Sequence, residues 1–512
     1  MESKLPKNWV KTSPLEISKI IRGVSYGKSD AFQFEFDNSC LILRGGNIQD
    51  GEIVDGKDNV YVSVDLIKNE QFIQKHDVVI VGSTGSKNLI GKAATSSFES
   101  DKISFGAFLM NIRASETIDK RYFSYYFQTN YYREAIRNLA GGVNINNIRK
   151  EYIENLYFPL PPLAEQNRIV EKLDRLFAQL EILKTSMAKV PLLLKDFRQQ
   201  VLTQAVTGKL TEEWRKGKEL DSTTDLLKKI EIRRKKNDTI TLLKKLDEIY
   251  NDNSKSVIYN IPSEWKEINL DRVCEKFSYG TSTKSDNEGE YVVLRMGNLQ
   301  NGKIDWSDLK YTSEKSEFEK YKLEKGDVLF NRTNSPELVG KTSVYEGEKE
   351  SIYAGYLIKI WNFKELNSYY LNYVLNSNFA KKWCSEVKSD GVSQSNINAQ
   401  KLSKFTIPFP SPEEQQEIVN RVESLFAKAD AIEQQYKILK AKIDTLPQAI
   451  LHKAFKGELT EQLDTDGDSR ELLKQIQELK NSTVKPKKAT TKKVKNYPEG
   501  DGALGMVAES KK

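Results

Sequence analysis

One stretch of this sequence occurs twice, and the repeat limits what the chain can fold into. The segment from Pro159 to Val190, PLPPLAEQNRIVEKLDRLFAQLEILKTSMAKV, returns from Pro408 to Leu439 as PFPSPEEQQEIVNRVESLFAKADAIEQQYKIL, an offset of 249 positions. The same offset pairs Glu165 with Glu414. A repeat of this length predicts two copies of one structural unit.

Each copy opens with residues that favour the start of a helix. Pro162 and Pro412 suit the first helical turn, where the helix does not need an N–H group. Ser411 and Glu414 have the spacing of a capping box, and Glu165 suits the positive end of a helix dipole. Both copies are therefore predicted to form long helices.

Apolar residues in both copies follow one another at steps of four and three. This spacing is the a/d pattern of helices that pair along a narrow seam. Because two matching seams in one chain can bury each other, we expect one intramolecular, coiled-coil-like helix pair. The alternative is that each helix lies with an amphipathic face on its own domain. The predicted seam consists of Ile169, Leu173, Leu176, Leu180 and Leu183 in the first copy and Ile418, Val422, Leu425, Ile432 and Leu439 in the second.

The segments on both sides of the helices are repeated in the same order. Leu5–Trp9 corresponds to Ile261–Trp265, and Leu202–Glu212 corresponds to Leu451–Glu461. Short apolar runs between Gly, Asn and Asp residues indicate strands and turns in each globular part. The sequence therefore predicts an α+β fold with two similar globular domains and two helical regions. The predicted boundaries are residues 1–158 and 256–407 for the domains, 159–255 (with a linker) and 408–480 for the helical regions, and 481–512 for a Lys-rich, disordered tail.

Composition indicates several domains with a large charged surface. At 512 residues the chain exceeds the size of a single hydrophobic core. Its formal net charge of +7 permits nucleic acid as a partner. Cys40, Cys274 and Cys384 are far apart, which excludes a disulfide scaffold and gives no zinc-binding pattern. We expect a cytoplasmic protein without a membrane segment, because the sequence has no apolar signal core and no apolar run long enough to span a bilayer.

The sequence contains few of the residues on which enzymes commonly depend. Its two histidines, His76 and His452, are too few for most His-ligated metal sites and for Ser-His-Asp chemistry. Ser335–Thr342 approaches a phosphate-binding P-loop, but Ser335 replaces the first glycine and Pro336 lacks a needed N–H group. A turn that closes a hairpin is the better interpretation. We therefore expect no catalytic residue, metal or cofactor in this chain.

Loops at matching positions in the two domains carry side chains suited to DNA. Arg can form a bidentate contact with guanine, Asn and Gln can do so with adenine, and Ser, Thr and Lys reach phosphates. The alternative is structural, since Asn and Ser are common turn formers and Arg44 and Arg295 are candidates for ion pairs. The predicted DNA-contacting residues are Arg44, Asn47, Ser83, Thr84, Ser86, Lys87, Asn144 and Asn146 in the first half and Arg295, Asn298, Arg332, Thr333, Asn334, Ser393, Gln394 and Ser395 in the second.

The loops of the two halves correspond in position but differ in sequence. GVNINNI at Gly142–Ile148, for example, corresponds to GVSQSNI at Gly391–Ile397. Two identical domains would suit a palindromic DNA site. Two different domains predict an asymmetric site that is recognised in two parts.

Taken together, the repeated motifs resemble the specificity subunit of type I restriction–modification systems. The resemblance rests on PLPPLAEQNRIV and PFPSPEEQQEIV, on GVNINNI and GVSQSNI, and on LTQAVTGKL and LHKAFKGEL, and it covers about Leu5 to Lys480. It implies two target-recognition domains separated by two long antiparallel helices, related by the pseudo-twofold internal repeat. Each domain would recognise one half of a split double-stranded DNA site, with a nonspecific spacer between the halves.

The resemblance also implies that this chain performs no chemistry itself. Two modification (methyltransferase) subunits would methylate adenine with S-adenosylmethionine, and restriction subunits would use ATP and Mg²⁺ to translocate and cut DNA. Both kinds of subunit would dock on this chain, whose helices would set the spacer length. Two other classes stay open: a coiled-coil scaffold without preference for DNA sequence, and an NTP-dependent enzyme based on Ser335–Thr342.

Overall fold

The structure is a computed structural model of the chain. It describes residues 5–49, 51–54, 56, 59–140, 146–237, 259–391 and 394–483. Residues 238–258, which include the predicted linker, lie outside the described residues, as do the Lys-rich tail beyond Thr483, Asn144 and Ser393. Within these ranges, no helix is long and apolar enough to cross a membrane.

The chain divides into two compact units. Unit 1 comprises Met1–Ile182 and Lys442–Lys512, and unit 2 comprises Leu183–Ala441. The described strands of unit 1 are β1 (Val10–Thr12), β2 (Ser18–Arg22), β3 (Ser39–Leu43), β4 (Ile48–Gln49), β5 (Gly51–Ile53), β6 (Val60–Ser63), β7 (Val78–Val81), β8 (Ser83–Thr84), β9 (Ala93–Thr95), β10 (Ile103–Phe105), β11 (Leu109–Ala114), β12 (Asn146–Asn147) and β13 (Phe158–Leu160). Its helices before the first long one are α1 (Lys120–Tyr126), α2 (Asn130–Leu139) and α3 (Lys150–Glu154).

The first long helix, α4 (Leu163–Met187), begins in unit 1 and ends in unit 2. The next helices of unit 2 are α5 (Val190–Val206), α6 (Glu212–Arg215), α7 (Thr223–Asn237), α8 (Leu270–Val273), α9 (Lys315–Tyr321), α10 (Ser368–Asn376), α11 (Asn378–Val387) and α12 (Ala399–Ser403). The second long helix, α13 (Pro412–Lys456), begins in unit 2 and ends in unit 1, where α14 (Ser469–Thr483) follows it. The described strands of unit 2 are β14 (Lys266–Asn269), β15 (Cys274–Tyr279), β16 (Tyr291–Leu294), β17 (Leu299–Gln300), β18 (Lys303–Ile304), β19 (Lys310–Thr312), β20 (Val328–Asn331), β21 (Thr333–Asn334), β22 (Thr342–Val344), β23 (Ser351–Tyr353), β24 (Leu357–Asn362), β25 (Ser389–Asp390), β26 (Ser395–Asn396) and β27 (Thr406–Phe409).

The two units are built around corresponding sheets. In unit 1 the larger sheet has the order β2-β11-β7-β9-β5-β4, and in unit 2 the order is β15-β24-β20-β22. A smaller sheet has the order β10-β3-β6 in unit 1 and β19-β16-β23 in unit 2. The inner strands β7 and β20 are buried at every residue, so both faces of each strand are covered, as expected for continuous apolar runs. The prediction of two similar α+β domains is confirmed.

The segment that approaches a P-loop closes a β-hairpin. Strands β20 and β22 pair antiparallel with Phe330 opposite Thr342, and the segment lies between them. Lys341 Nζ donates a hydrogen bond to Gln300 Oε1 at 2.8 Å, and burial lowers the pKa of Lys341. The lysine that a P-loop would direct at phosphate is thus bound within its own domain. The hairpin turn predicted for this segment is confirmed.

The first turns of both long helices are buried in the cores of the units. Ile169 and Leu173 of α4 lie in the core of unit 1 with Leu451, Ala454 and Phe455 from the end of α13. Leu180 is also buried, and Leu176 is half-buried against the same core.

In unit 2, the start of α13 packs in the equivalent way. Ile418 and Val422 lie in the core with Leu202 and Ala205 of α5, and Leu425 is partly buried against it. The start of each long helix therefore has an apolar face on a domain, as the alternative predicted, and in unit 1 that face also shares its core with the end of the other long helix, as the helix-pair prediction expected. A seam repeating every 3.5 residues and a core-facing stripe repeating every 3.6 differ by only about 20° per heptad, so the sequence pattern did not separate them.

The distal part of the predicted seam is not buried. Leu183, Ile432 and Leu439 are 44%, 51% and 50% exposed, respectively. The burial predicted for these three residues is wrong, because the positions of each helix that share a domain core, such as Ile169, Leu173, Ile418 and Val422, lie nearer its start.

A buried glutamate at the start of α4 joins three segments of unit 1. Glu165 accepts hydrogen bonds from Trp9 Nε1 at 2.7 Å, Thr460 Oγ1 at 3.2 Å and Gln462 Nε2 at 2.8 Å. The residues after α13 therefore complete the domain that the N-terminal residues begin.

The equivalent glutamate of unit 2, Glu414, accepts similar hydrogen bonds and also forms an ion pair with an arginine. Glu414 accepts hydrogen bonds from Trp265 Nε1 at 2.8 Å and Thr211 Oγ1 at 2.7 Å, and it forms an ion pair with Arg215. The amide of Glu414 donates to Ser411 Oγ at 3.3 Å, which is one half of the predicted capping box. Its carboxylate joins the neighbouring segments instead of closing that box.

Candidate nucleic-acid interface

Four of the predicted DNA-contacting residues of unit 1 lie between the paired strands β7 and β9: Ser83, Thr84, Ser86 and Lys87. Strands β8 and β12 pair antiparallel, with Asn146 opposite Thr84 and Asn147 opposite Ser83. This pairing brings two segments together that are about 60 residues apart in sequence. The sequence had grouped the residues of these two segments only by residue type, as candidates for DNA contact.

Hydrogen bonds within the hairpin loop fix its backbone. Thr84 Oγ1 accepts from Ser86 N at 3.3 Å, and Ser86 Oγ accepts from Asn88 N at 3.3 Å. Arg133 of α2 donates to the carbonyl of Asn88 at 3.0 Å. Lys87 is exposed at the surface of this loop. Lys87 is thus exposed on a loop whose backbone is hydrogen-bonded both to its own side chains and to Arg133 of α2.

Asn146 is hydrogen-bonded to the backbone of this loop. It is only 2% exposed, and its Nδ2 donates to the carbonyl of Thr84 at 3.2 Å. A buried amide with this bond positions the loop backbone and does not reach a base. The DNA contact predicted for Asn146 is therefore better interpreted as a structural role.

Two more predicted asparagines form turns. The Oδ1 atoms of Asn47 and Asn298 accept from the backbone N–H of Arg44 and Arg295 at 2.8 and 2.9 Å. Asn47 Nδ2 donates to Val54 O at 3.1 Å, and both asparagines are buried. Their amide groups are used within the turn, as the turn-former alternative predicted.

The two arginines of these turns differ in their surroundings. Arg44 is exposed and lines a cavity of about 520 Å³ together with Ser83 and Thr84. Arg295 is half-buried, and its guanidinium lies 3.0 Å from a carboxylate oxygen of Asp308, which is itself 83% exposed. The ion-pair alternative thus fits Arg295, but an exposed pair of this kind contributes little to stability and can exchange its partner.

In unit 2 an arginine occupies the start of the corresponding loop. The guanidinium of Arg332 lies 4.6 Å from the ring centre of Tyr279 and donates to Asn396 Oδ1 at 3.4 Å. Asn396 Nδ2 in turn donates to Thr333 Oγ1 at 2.7 Å. Arg332 is thereby oriented by an aromatic face and an amide, and it is half-exposed.

The remaining predicted residues of unit 2 divide between scaffold and surface. Ser395 is buried and bonds to Asp390, and a hydrogen bond from Lys388 lowers the pKa of that carboxyl. Asn334 Oδ1 accepts from the next backbone N–H at 2.8 Å. Gln394 is exposed. Gln394 is thus more exposed than Asn334, which is half-buried.

Sequence reasoning missed the aromatic walls of this interface. The cavity that Arg44 lines is also bounded by Tyr26, Leu89 and Phe108. Among the described residues that line it, Arg44 is the only charged one. No aromatic residue was among the predicted DNA contacts, although the repeat places Tyr356 where unit 1 has Phe108, and this correspondence was the available signal.

The cysteines lack the character of reactive thiols. Burial raises the pKa of Cys40 and Cys384 to about 12 and raises that of Cys274 as well. Across the described ranges, no group of three or more His, Cys, Asp or Glu residues is arranged to hold a metal ion.

Comparison with known proteins identifies matching families and folds. The family described as type I restriction modification DNA specificity domain matches residues 6–192 and 262–441. The EcoKI type I restriction enzyme specificity subunit of Escherichia coli (strain K12) is 32% identical over 464 residues, covering 90% of this chain and 91% of the relative. The StySPI specificity subunit of Salmonella potsdam is also 32% identical, with the same coverage.

Solved structures show the same fold. The HsdS subunit from Thermoanaerobacter tengcongensis superposes with a TM-score of 0.56 at 18% identity, covering 90% of this chain and 99% of that one. A chain from a structure of the type I R-M system, described in terms of complex assembly and conformational transition, has a TM-score of 0.58 at 18% identity, covering 89% and 100%.

Proposed function

Because the chain belongs to the family of type I restriction–modification DNA specificity subunits, we propose that each of its two units recognises one half of a split, asymmetric DNA site. The observation that carries this proposal is the repeated interface with different side chains. The pairings of β8 with β12 and of β21 with β26 are equivalent, yet Gly82 before β8 corresponds to Arg332 before β21. Equivalent backbones with different polar groups suit two different half-sites.

The chemistry belongs, in this proposal, to partner subunits. The relatives are specificity subunits, the DNA-recognition components of type I restriction enzymes. Two modification subunits would supply adenine methylation with S-adenosylmethionine, and restriction subunits would supply ATP- and Mg²⁺-dependent translocation and cleavage. The complex would act in the cytoplasm, where the host DNA lies.

We expect Arg44→Ala and Arg295→Ala each to relax recognition in one half of the site. Loss of a bidentate contact with a base costs about 1–3 kcal/mol and affects one position. The measurement is the methylated motif of a host that carries each variant, together with the affinity of the complex for the matching duplex.

The matched control for these arginines is Lys87→Ala. If Lys87 contacts a phosphate, its replacement by alanine should weaken binding to all DNA sequences. It should also reduce the slope of log affinity against log salt concentration by about 1. If Arg44→Ala or Arg295→Ala behaved in this way, that arginine would contact the DNA backbone and not a base. A lower melting temperature with an unchanged motif would assign Arg295 to its ion pair with Asp308.

We further propose that α4 and α13 set the distance between the half-sites, since both helices run from one unit to the other. A four-residue insertion adds about 6 Å of helix and only locally unwinds a heptad pattern. Insertion after Leu183 and after Leu439 should therefore lengthen the spacer by one or two base pairs and leave both half-sites unchanged. The measurement is the genome-wide methylated motif.

The control for the insertions is a four-residue insertion after Gly347, in an exposed loop of unit 2. This variant should keep the original spacer. An active enzyme whose spacer is unchanged by the helix insertions would show that the helices do not set the distance.

A further inference from the structure

An exposed aromatic side chain stands at the same place in both units. Phe108 is 72% exposed and Tyr356 is 50% exposed. The carbonyl of Phe108 accepts hydrogen bonds from the N–H groups of Gly82 at 2.9 Å and Ser83 at 3.0 Å, and the carbonyl of Tyr356 accepts one from Arg332 at 3.0 Å. The backbone of each aromatic residue is thereby fixed to the start of the loop that carries the proposed DNA contacts.

Each of these loops also exposes a leucine. Leu89 is 42% exposed in unit 1, and Leu338 is 40% exposed at the corresponding position of unit 2. In unit 1, Leu89 and Phe108 line the same cavity. Large apolar side chains that are exposed twice, at equivalent positions, indicate a binding surface and not an accident of packing.

The polar residues around these apolar positions differ between the units. Gly82 corresponds to Arg332, and the loop residue Lys87 corresponds to Pro336. The aromatic–leucine pair is retained while its polar neighbours change. A contact that both units share must serve a purpose that does not depend on the sequence of either half-site.

We propose that the aromatic–leucine pair of each unit is an apolar wedge that packs against the bases of bound double-stranded DNA. This inference rests on the proposed function. It gives the aromatic–leucine pair the part of DNA binding that does not depend on the base sequence. Aromatic rings stack on any base, and apolar side chains inserted between base steps unstack them and bend the duplex. The polar loop residues then provide the discrimination between sequences.

The charges beside the wedge favour DNA over a protein surface as the occupant. In the part of the chain that the structure describes, the residues lining the unit 1 cavity include one charged side chain, Arg44, and the hydroxyl groups of Ser83 and Thr84. In unit 2, Arg332 donates to the carbonyl of Gly355, the residue before Tyr356, at 3.3 Å. A cation and hydroxyl groups next to an apolar surface match a base with its neighbouring phosphates.

The test uses the full-length chain assembled with its modification subunits. The probes are a duplex that carries the methylated motif mapped in the host and a duplex of scrambled sequence. Affinities are measured over a range of salt concentrations for Phe108→Ala, Tyr356→Ala and Phe34→Ala. Phe34 is the matched control, because it is a phenylalanine of unit 1 that is 64% exposed and lies outside the residues that line the cavity.

We expect Phe108→Ala and Tyr356→Ala each to lower the affinity for the motif duplex about tenfold, within the roughly 5- to 150-fold range of one stacked base. The salt dependence, the melting temperature and the methylated motif should stay unchanged, and Phe34→Ala should bind like the original protein. A motif altered at one position would instead make the aromatic a base-specific contact and overturn the proposal.

Two other outcomes also overturn the wedge. In one, both alanine variants bind DNA like the original protein while Arg44→Ala relaxes its half-site, so that the proposed function stands without a wedge. In the other, the variants lose the modification subunits, which would make the aromatic surface a protein interface. If neither arginine variant nor aromatic variant affects DNA binding, the proposed function itself fails.

Discussion

Glu414→Ala is expected to destabilise unit 2 by about 3–5 kcal/mol, the cost of breaking a buried ion pair from one side. The carboxylate is 1% exposed and pairs with Arg215, which is 14% exposed. Its removal also leaves Trp265 Nε1 and the hydroxyl of Thr211 without their acceptor. The three segments joined at this point would then lose their common partner.

The measurement is urea unfolding of the full-length chain, with hydrogen exchange resolved by peptide to assign the loss to unit 2. The matched control is Glu413→Ala, since Glu413 is the exposed neighbour on the same helix turn. It should change stability by less than about 0.5 kcal/mol. A loss below about 1 kcal/mol for Glu414→Ala would contradict a joining role for this carboxylate.

Glu165→Ala provides an internal comparison in unit 1. The three side chains that donate to Glu165 belong to Trp9, Thr460 and Gln462, which are all uncharged. Unsatisfied neutral donors cost about 1–3 kcal/mol, less than an unpaired buried charge. Glu165→Ala should therefore lower the free energy of unfolding by less than Glu414→Ala does, and the destabilised unit should be unit 1.

The repeat and its strands could be predicted from the sequence because they depend on local patterns. Apolar runs such as Val78–Val81 specify a buried strand, and glycine and asparagine mark the turns beside them. The hairpin at Ser335–Thr342 followed from the same kind of evidence. The order of segments along the chain then fixed which elements correspond.

The joining of distant segments could not be predicted, because periodicity carries no information about the partner of a buried face. The apolar stripe of α4 specifies a helix with one buried side, but not that Leu451 and Phe455 would cover it. Asn47 shows the same limit within the candidate interface. Its residue type suits both a base contact and a turn, and only its burial and its bonds to Arg44 and Val54 identify the turn.

The second large effect is expected from exchanging one domain. Replacing Ser13–Tyr157 with the equivalent segment of a related specificity subunit should change one half of the recognised site and leave the other half intact. These boundaries keep the pairing of β1 with β13, in which Val10 lies opposite Leu160, and they keep the Trp9 bond to Glu165. The exchange therefore preserves the strand pairing and the hydrogen bond that link the two ends of the domain.

The reciprocal exchange is the matched control. Replacing Leu270–Phe405 keeps the pairing of β14 with β27 and the Trp265 bond to Glu414. It should change the other half of the site. Two exchanges with complementary effects would exclude a general disturbance of the complex.

The central claim, that each unit recognises its own half-site, is tested most directly by mapping adenine methylation across the genome of hosts that carry each exchange. The account predicts two new motifs, each sharing one half with the original and each with the original spacer. Motifs in which both halves change after a single exchange would contradict it.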